Sequence, residues 1–461
     1  MTLIKSISGI RGTIGGAPGE GLTPLDIVKF VSAFAAFIIS KEQADQLRFV
    51  VGRDARVSGD MVNKLVCGTL LGMGVDVIDI GLSTTPTVEM KVVFEQAHGG
   101  IILTASHNPG QWNALKLLNG KGEFISAEDG AQLLEIAEKA SFNFAEVESL
   151  GSYTQDQQAI QQHIDAILAL PLVDAERIKK RDFHVVLDCV NSTGGIALPA
   201  LLHALGVSKV TGLYCEPTGL FPHNPEPLPE NLTEIAREVK THGADLGFVV
   251  DPDVDRLAIV TEQGKMFGEE YTLVAVADYI LQNQKGNTVS NLSSTGALRD
   301  ITLMAGGQYH ASAVGEVNVV ELMKEVDAVI GGEGNGGVIY PELHYGRDAL
   351  VGIALFLTFL AKENISCSAL RSAYPDYTIS KNRMELTQGI DVDALLKAVE
   401  NAYADHEVIT IDGVKIIFGK EWVHLRKSNT EPIVRIYAES TDPGSAEKLA
   451  REVINKMQTL L

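Results

Sequence analysis

Four short runs in this chain carry residue types suited to phosphoryl and anion chemistry. The first is Thr104-Ala-Ser-His-Asn-Pro109, which follows the apolar run Gly100-Ile-Ile-Leu. Pro109 disfavours helical backbone at Asn108 and lacks an N–H, so Ser106 is expected on an exposed turn at a strand end. A hydroxyl there could carry a phosphoryl group. His107 beside it and Lys116 further along are the two candidates for moving a proton, and Lys116 could act as a base only if burial or nearby cations lowered its pKa. The second run, Asp251-Pro-Asp-Val-Asp-Arg256, follows the buried-looking strand Leu246-Gly-Phe-Val-Val250. In an extended segment positions i, i+2 and i+4 share a face, so Asp251, Asp253 and Asp255 are expected to converge on one hard cation, with Pro252 and Val254 turned away. Oxygen ligands with open positions suit Mg²⁺, whereas the scattered Cys and His residues do not suit zinc.

The third run, Gly331-Gly-Glu-Gly-Asn-Gly-Gly337, lets a backbone approach a ligand closely while Glu333 offers a carboxylate to hydroxyl groups. Its glycines also fit a dinucleotide string, but that fingerprint requires a helix to open on them, and Val338-Ile-Tyr-Pro341 continues as an extended segment. The fourth run, Arg426-Lys-Ser-Asn-Thr-Glu-Pro-Ile-Val-Arg435, flanks hydroxyls and an amide with two guanidinium groups, a composition that grips phosphate. Read alone, each run is also an ordinary turn or acidic loop.

Together, and in this order, the four runs resemble the signature loops of the α-D-phosphohexomutases, which interconvert sugar 1-phosphates and 6-phosphates. Ser8-Gly-Ile-Arg-Gly12 resembles that family's opening arginine loop. The resemblance spans the chain. It implies that Ser106 is the phosphoserine and that Asp251, Asp253 and Asp255, with that phosphate, hold Mg²⁺. Lys116 would be the general acid/base, with His107 as competitor, and Arg11 and Arg256 would steady the phosphoserine. Glu333 would contact sugar hydroxyls, while Arg426, Ser428, Asn429, Thr430 and Arg435 would hold the phosphate that does not react. A sugar 1,6-bisphosphate would be the intermediate and the activator. Asn335 stands where the sugar loop often has Ser, and it too is expected near the substrate. Thr430-Glu-Pro432 is similar to the phosphoglucosamine mutase branch, although Asn429 replaces its usual Gly; glucose or mannose phosphates are the alternative. Two readings from other classes are a haloacid-dehalogenase-like phosphatase with Asp251 as nucleophile and an inactive sugar-phosphate sensor. The first wants Thr or Val at position 255, and the second would have lost Ser106 or the Asp triplet.

A length of 461 residues points to three or four domains, and a net charge of −21 with no long basic run argues against a nucleic-acid partner. Cys67, Cys189, Cys215 and Cys367 lie far apart and read as buried thiols. The first residues lack a basic segment followed by an apolar core, so the expected location is cytoplasmic, with no membrane partner and a monomeric or homodimeric state. The apolar stretch Leu350 to Ala361 is too short to span a bilayer and reads as a buried helix.

These loops need strands and helices to position them. Strand-like runs at 48–52, 76–80 and 101–104 alternate with helical ones such as Met61 to Leu71, which is α/β grammar. Ser126-Ala-Glu-Asp129 predicts a helix start, with a polar connection over 141–157. The expected fold class is α/β and multidomain. Domains are placed at 1–155 with the phosphoserine loop, 156–262 with the metal loop, 263–374 with the sugar loop and 375–461, a small α+β domain with the phosphate loop. The resemblance implies that the first three are related and that all four surround a central cleft.

Overall fold

A computed structural model of the chain describes all residues except 1, 7, 8, 43, 45, 387–389, 428–432 and 461. The expected multidomain α/β fold is what the chain adopts, with the described strands arranged in four sheets. The first sheet runs in the order Ile4–Ser6, Gly9–Thr13, Trp112–Asn119, Gly99–Leu103, Arg48–Arg53, Asp76–Leu82, Tyr153–Gln155. Its central strands are parallel and buried on both faces, so they read as apolar runs such as Gly99–Leu103. The connection expected over 141–157 contains that last strand, Tyr153–Gln155; it is exposed throughout, and a half-polar run of this length carries no clear strand signal. The helix start at Ser126 is as expected: its side chain accepts from the N–H of Asp129, opening helix Ala127–Lys139.

A second sheet orders Leu257–Thr261, Leu246–Val250, His184–Asp188 and Lys209–Leu213. Strands Leu246–Val250 and Leu257–Thr261 pair antiparallel, so the Asp251 to Arg256 loop is a hairpin connection held at both ends. Strands Tyr309–Ser312, Asn287–Asn291 and Ala328–Glu333 form a parallel set that ends in the Glu333 loop. The last sheet is antiparallel: Thr378–Glu385, Ile433–Ser440, Glu421–Lys427, Val414–Phe418, Glu407–Ile409. Helices Val392–Ala402 and Pro443–Gln458 bury apolar stripes in the core of Val423, Leu425, Val434 and Ile436.

By compactness the chain forms two units, residues 1–272 with 336–369, and residues 273–335 with 370–461. The segment that returns to the first unit includes helix Ala349–Glu363, whose residues from Ala349 to Leu360 are all buried. Phe356 on it meets the rings of Phe248 and Phe267 edge-on, with centroids 6.3 and 5.3 Å apart. Among the described residues no helix is long and apolar enough to cross a membrane. Cys67, Cys189 and Cys367 are buried as expected, but Cys215 is only half-buried, with its Sγ 3.7 Å from that of Cys189.

Candidate active site

Strand Gly99–Leu103 delivers Ser106 into a turn where its backbone takes φ 48°, a left-handed conformation uncommon for a residue with a side chain. Sequence reasoning placed this serine on an exposed turn. It is instead 8% exposed, because the left-handed residue turns the hydroxyl inward onto Asp251, whose Oδ2 lies 2.7 Å from Ser106 Oγ. The turn is held by Thr104, Asp54 and Arg56, the last two lying outside the motif. Thr104 Oγ1 accepts from the Ser106 N–H at 2.9 Å and donates to Asp54 Oδ2 at 2.7 Å. Arg56, with a fully buried side chain, donates to the carbonyls of Ser106, of Asn108 at 2.7 Å, of Pro109 at 2.8 Å and of Trp112 at 3.1 Å. Its Nε lies 2.9 Å from Asp54 Oδ2. One guanidinium thus fixes the whole serine loop.

Strand Leu246–Val250 delivers the acidic loop, and Asp251, Asp253 and Asp255 are each 0% exposed. One oxygen from each lies within 4.8 Å of the others. The sequence predicted this convergence, but by alternation along an extended segment. The loop is in fact a turn closed by the Val254 N–H donating to Asp251 O at 3.1 Å, with Val254 buried at φ 63°. Backbone N–H groups of Asp255 and Arg256 donate to Asp251 Oδ1, each at 3.2 Å. Four side chains outside the motif also hold it. Thr85 Oγ1 donates to Asp253 Oδ2 at 2.5 Å, Arg347 Nη2 to Asp255 Oδ2 at 2.6 Å, and the hydroxyls of Ser192 and Thr193 to Pro252 O at 2.7 and 2.9 Å.

These residues fit a hard divalent cation. Asp253 Oδ1 and Asp255 Oδ1 are buried and accept no hydrogen bond from the described residues, which is costly unless a cation uses them. The donor set is all oxygen, as Mg²⁺ requires.

The charges around Ser106 are strongly perturbed. Burial, reinforced by Asp255 and Asp253, pushes the Asp251 carboxyl well above the usual carboxylate range. Burial pushes the Asp255 carboxyl up, but Arg347, Lys116 and Arg256 outweigh it and hold that carboxyl low. Lys116 Nζ lies 2.7 Å from Asp253 Oδ2 and 3.4 Å from Asp255 Oδ2. Burial lowers its pKa, yet the two carboxylates prevail and hold the ammonium above its ordinary value. The condition for a basic Lys116 is therefore not met in this arrangement, and the side chain is held as an ammonium. Burial and then Arg256 bring the His107 imidazole down to about 3, with its Nδ1 3.4 Å from Ser106 Oγ. Arg11 sits opposite Ala114 on strand Gly9–Thr13, and burial with the Arg256 charge lowers its pKa.

A neutral His107 gives a prediction with a definite sign. A group brought down to about 3 stays unprotonated from pH 5 to pH 9, so it contributes no inflection to the rate profile there. His107→Gln is expected to leave the shape of the kcat against pH curve unchanged between those limits. Loss of an acid limb near pH 6 in that variant would show that His107 titrates during turnover.

In the second unit, Glu333 is 5% exposed and held by Asn291 Nδ2 at 2.8 Å and Asn335 Nδ2 at 3.5 Å. Ser294 Oγ donates to Asn291 Oδ1 at 3.1 Å and accepts from the Gly334 N–H at 3.0 Å. Arg426 and Arg435 are direct cross-strand partners, and Arg383 is the partner of Arg435 on its other side. Three guanidinium groups therefore stand in one cross-strand row. Like charges directly opposite are destabilising, so this arrangement favours an anion among them. Arg426 also pairs with Asp412 at 2.7 Å. Arg383 was missed because it lies on a strand far from the motif. Ser428, Asn429 and Thr430 lie outside the described residues.

The chain matches four family models in order. They are phosphoglucomutase/phosphomannomutase alpha/beta/alpha domain I over residues 3–144, domain II over 161–264, domain III over 268–377, and the C-terminal domain over 383–456. It is 36% identical, over 96% of both chains, to a phosphoglucomutase/phosphomannomutase of Thermococcus kodakarensis. It is 33% identical, over 98% of both chains, to a phosphoglucosamine/phosphogalactosamine mutase of Sulfurisphaera tokodaii. A crystal structure of a phosphoglucomutase/phosphomannomutase family protein from Burkholderia thailandensis matches with a TM-score of 0.85 at 25% identity, covering 99% of this chain and 98% of that one.

Proposed function

The chain belongs to the phosphoglucomutase/phosphomannomutase family of phosphohexomutases, and from that premise we propose that it interconverts glucosamine 6-phosphate and glucosamine 1-phosphate through a phosphorylated Ser106. The observation that supports the phosphoserine route is the Ser106 hydroxyl 2.7 Å from Asp251, beside two buried carboxylate oxygens that accept no hydrogen bond from the described residues. Mg²⁺ held by Asp251, Asp253, Asp255 and the Ser106 phosphate would neutralise charge on the phosphoryl oxygens during transfer.

The chain's own residues do the rest. Phospho-Ser106 donates to a free sugar hydroxyl and leaves a 1,6-bisphosphate, whose other phosphate must return to Ser106 after the sugar turns end for end. Arg11 and Arg256 steady the phosphoserine. Lys116 gives a proton to the serine oxygen as the phosphoryl group departs and takes the one that the attacking sugar hydroxyl loses, so it ends the step as it began, an ammonium. Glu333 and Asn335 orient the sugar hydroxyls, and Arg426 and Arg435, with Ser428, Asn429 and Thr430, hold the distal phosphate. The domain limits proposed are 155, 262 and 374. The product would feed synthesis of UDP-N-acetylglucosamine in the cytoplasm, from a monomer or homodimer.

The Thermococcus relative's name favours a second reading on glucose or mannose phosphates. A coupled assay on the 6-phosphates of glucosamine, glucose and mannose, primed with the matching bisphosphate and Mg²⁺, separates the two. The expected result is the highest kcat/KM for glucosamine phosphate, abolished by EDTA, with Asn335→Ser changing the glucosamine-to-glucose ratio. Highest kcat/KM on glucose or mannose phosphate establishes the second reading, and inactivity on all three overturns both.

A further inference from the structure

A second cluster of ligating side chains lies in the first unit, apart from the acidic triplet. His163 on helix Ala159–Leu168, His344, and Asp348 at the start of helix Ala349–Glu363 bring one ligand atom each to within 4.8 Å of one another. His163 and Asp348 are 0% exposed, and the His344 side chain is 8% exposed. The Nε2 atoms of His163 and His344 lie 2.9 and 3.4 Å from the same oxygen, Asp348 Oδ2. Both are hydrogen bonds as they stand, and the longer one is about the spacing of neighbouring tetrahedral ligands around an ion with bonds of about 2.0–2.1 Å.

The remaining atoms are arranged as supports for such a shell. Asp348 Oδ1 is turned the other way, accepting from the N–H groups of Leu350 at 2.7 Å and Val351 at 3.3 Å, so Oδ2 alone faces the imidazoles. The second nitrogen of His163 has a hydrogen-bond partner, Thr87 Oγ1 at 3.0 Å, while that of His344 lies 3.4 Å from the Glu89 Oε2 carboxylate oxygen without a hydrogen bond to it. A carboxylate or hydroxyl on the far nitrogen is how protein imidazoles are oriented toward metals.

We propose that His163, His344 and Asp348 form a site for a divalent transition ion of the zinc class. Two imidazoles exclude Mg²⁺, which keeps to oxygen, and two nitrogens with one carboxylate leave an open position for water. The site adjoins the residues that grip the acidic loop. Thr85, two positions from Thr87, binds Asp253, and Arg347, next to Asp348, binds Asp255. An ion here ties helix Ala159–Leu168 to both of those grips.

The test is a Co²⁺ titration of the full chain in excess Mg²⁺, followed by visible absorption. One equivalent giving d–d bands is expected, with affinity falling roughly tenfold or more in His163→Gln and His344→Gln, and by about tenfold in Glu89→Gln. No band in the unmutated chain, or binding unchanged in both His variants, overturns the site and leaves a hydrogen-bonded network only. Should either His variant fail to fold, X-ray absorption of the unmutated protein with one equivalent of Zn²⁺ decides: two imidazoles in the shell support the site, and oxygens alone overturn it.

Discussion

Ser106→Ala is expected to abolish mutase turnover, lowering kcat by several orders of magnitude, because it removes the hydroxyl proposed to carry the phosphoryl group beside Asp251. Intact mass of the unmutated protein should show a phosphorylated fraction that vanishes in the variant. The substitution also removes the donor 2.7 Å from Asp251 Oδ2, in a loop already at φ 48°. Leaving a buried acceptor unmet costs about 1–3 kcal/mol, far too little to unfold a core of this size on its own. Activity loss and stability loss can therefore be separated: the variant should keep its circular dichroism and still bind Mg²⁺ while failing to transfer phosphate. Retained turnover, or a phosphate still present on the Ala variant, would falsify the assignment of Ser106.

The sequence exposed those parts of the site whose members are neighbours in the chain. Asp251, Asp253 and Asp255 sit within five residues behind an apolar strand, so their convergence was readable even though a turn, not alternation, produces it. Arg426 and Arg435 were readable for the same reason. Arg56, Thr85 and Arg347 were not, since each reaches a loop residue 50, 168 or 92 positions away, and no local pattern marks a side chain whose partner lies on another element. The inward turn of Ser106 was also hidden, because a left-handed residue reverses which way a loop side chain points and Pro109 signals only that a turn exists. Fold class was legible from apolar strands alternating with helices. The return of residues 336–369 to the first unit was not, because a uniformly apolar helix such as Ala349–Glu363 shows that it is buried and not against what.

The lysine's charge state illustrates the same limit. Burial alone argues for a lowered pKa at Lys116, and the sequence shows no carboxylate near it. Asp253 and Asp255, brought to 2.7 and 3.4 Å by folding, reverse the sign. A divalent cation at the triplet would compete with Lys116 for those same carboxylates, which would link the lysine's basicity to the occupancy of the triplet.

Arg56→Met is expected to have the largest effect on stability of any substitution near Ser106, lowering it by about 3–5 kcal/mol, because it strands the buried Asp54 carboxylate of a fully buried pair. Four carbonyls of the serine loop lose their donor at the same time. Lysine is not a substitute: its ammonium is a compact charge with three donors and cannot span Asp54 and four carbonyls as a planar guanidinium does. Arg56→Lys should therefore fold better than Arg56→Met yet transfer phosphate slowly. Pairing Arg56→Met with Asp54→Leu removes the stranded charge and should recover part of the stability measured by urea unfolding. It should not recover turnover, since the carbonyls of Ser106 and Asn108 remain unheld and the serine loop is free to leave its left-handed turn. If Arg56→Met costs less than about 1 kcal/mol, as an exposed pair would, or if the double variant regains full activity, the loop is positioned by something other than this guanidinium.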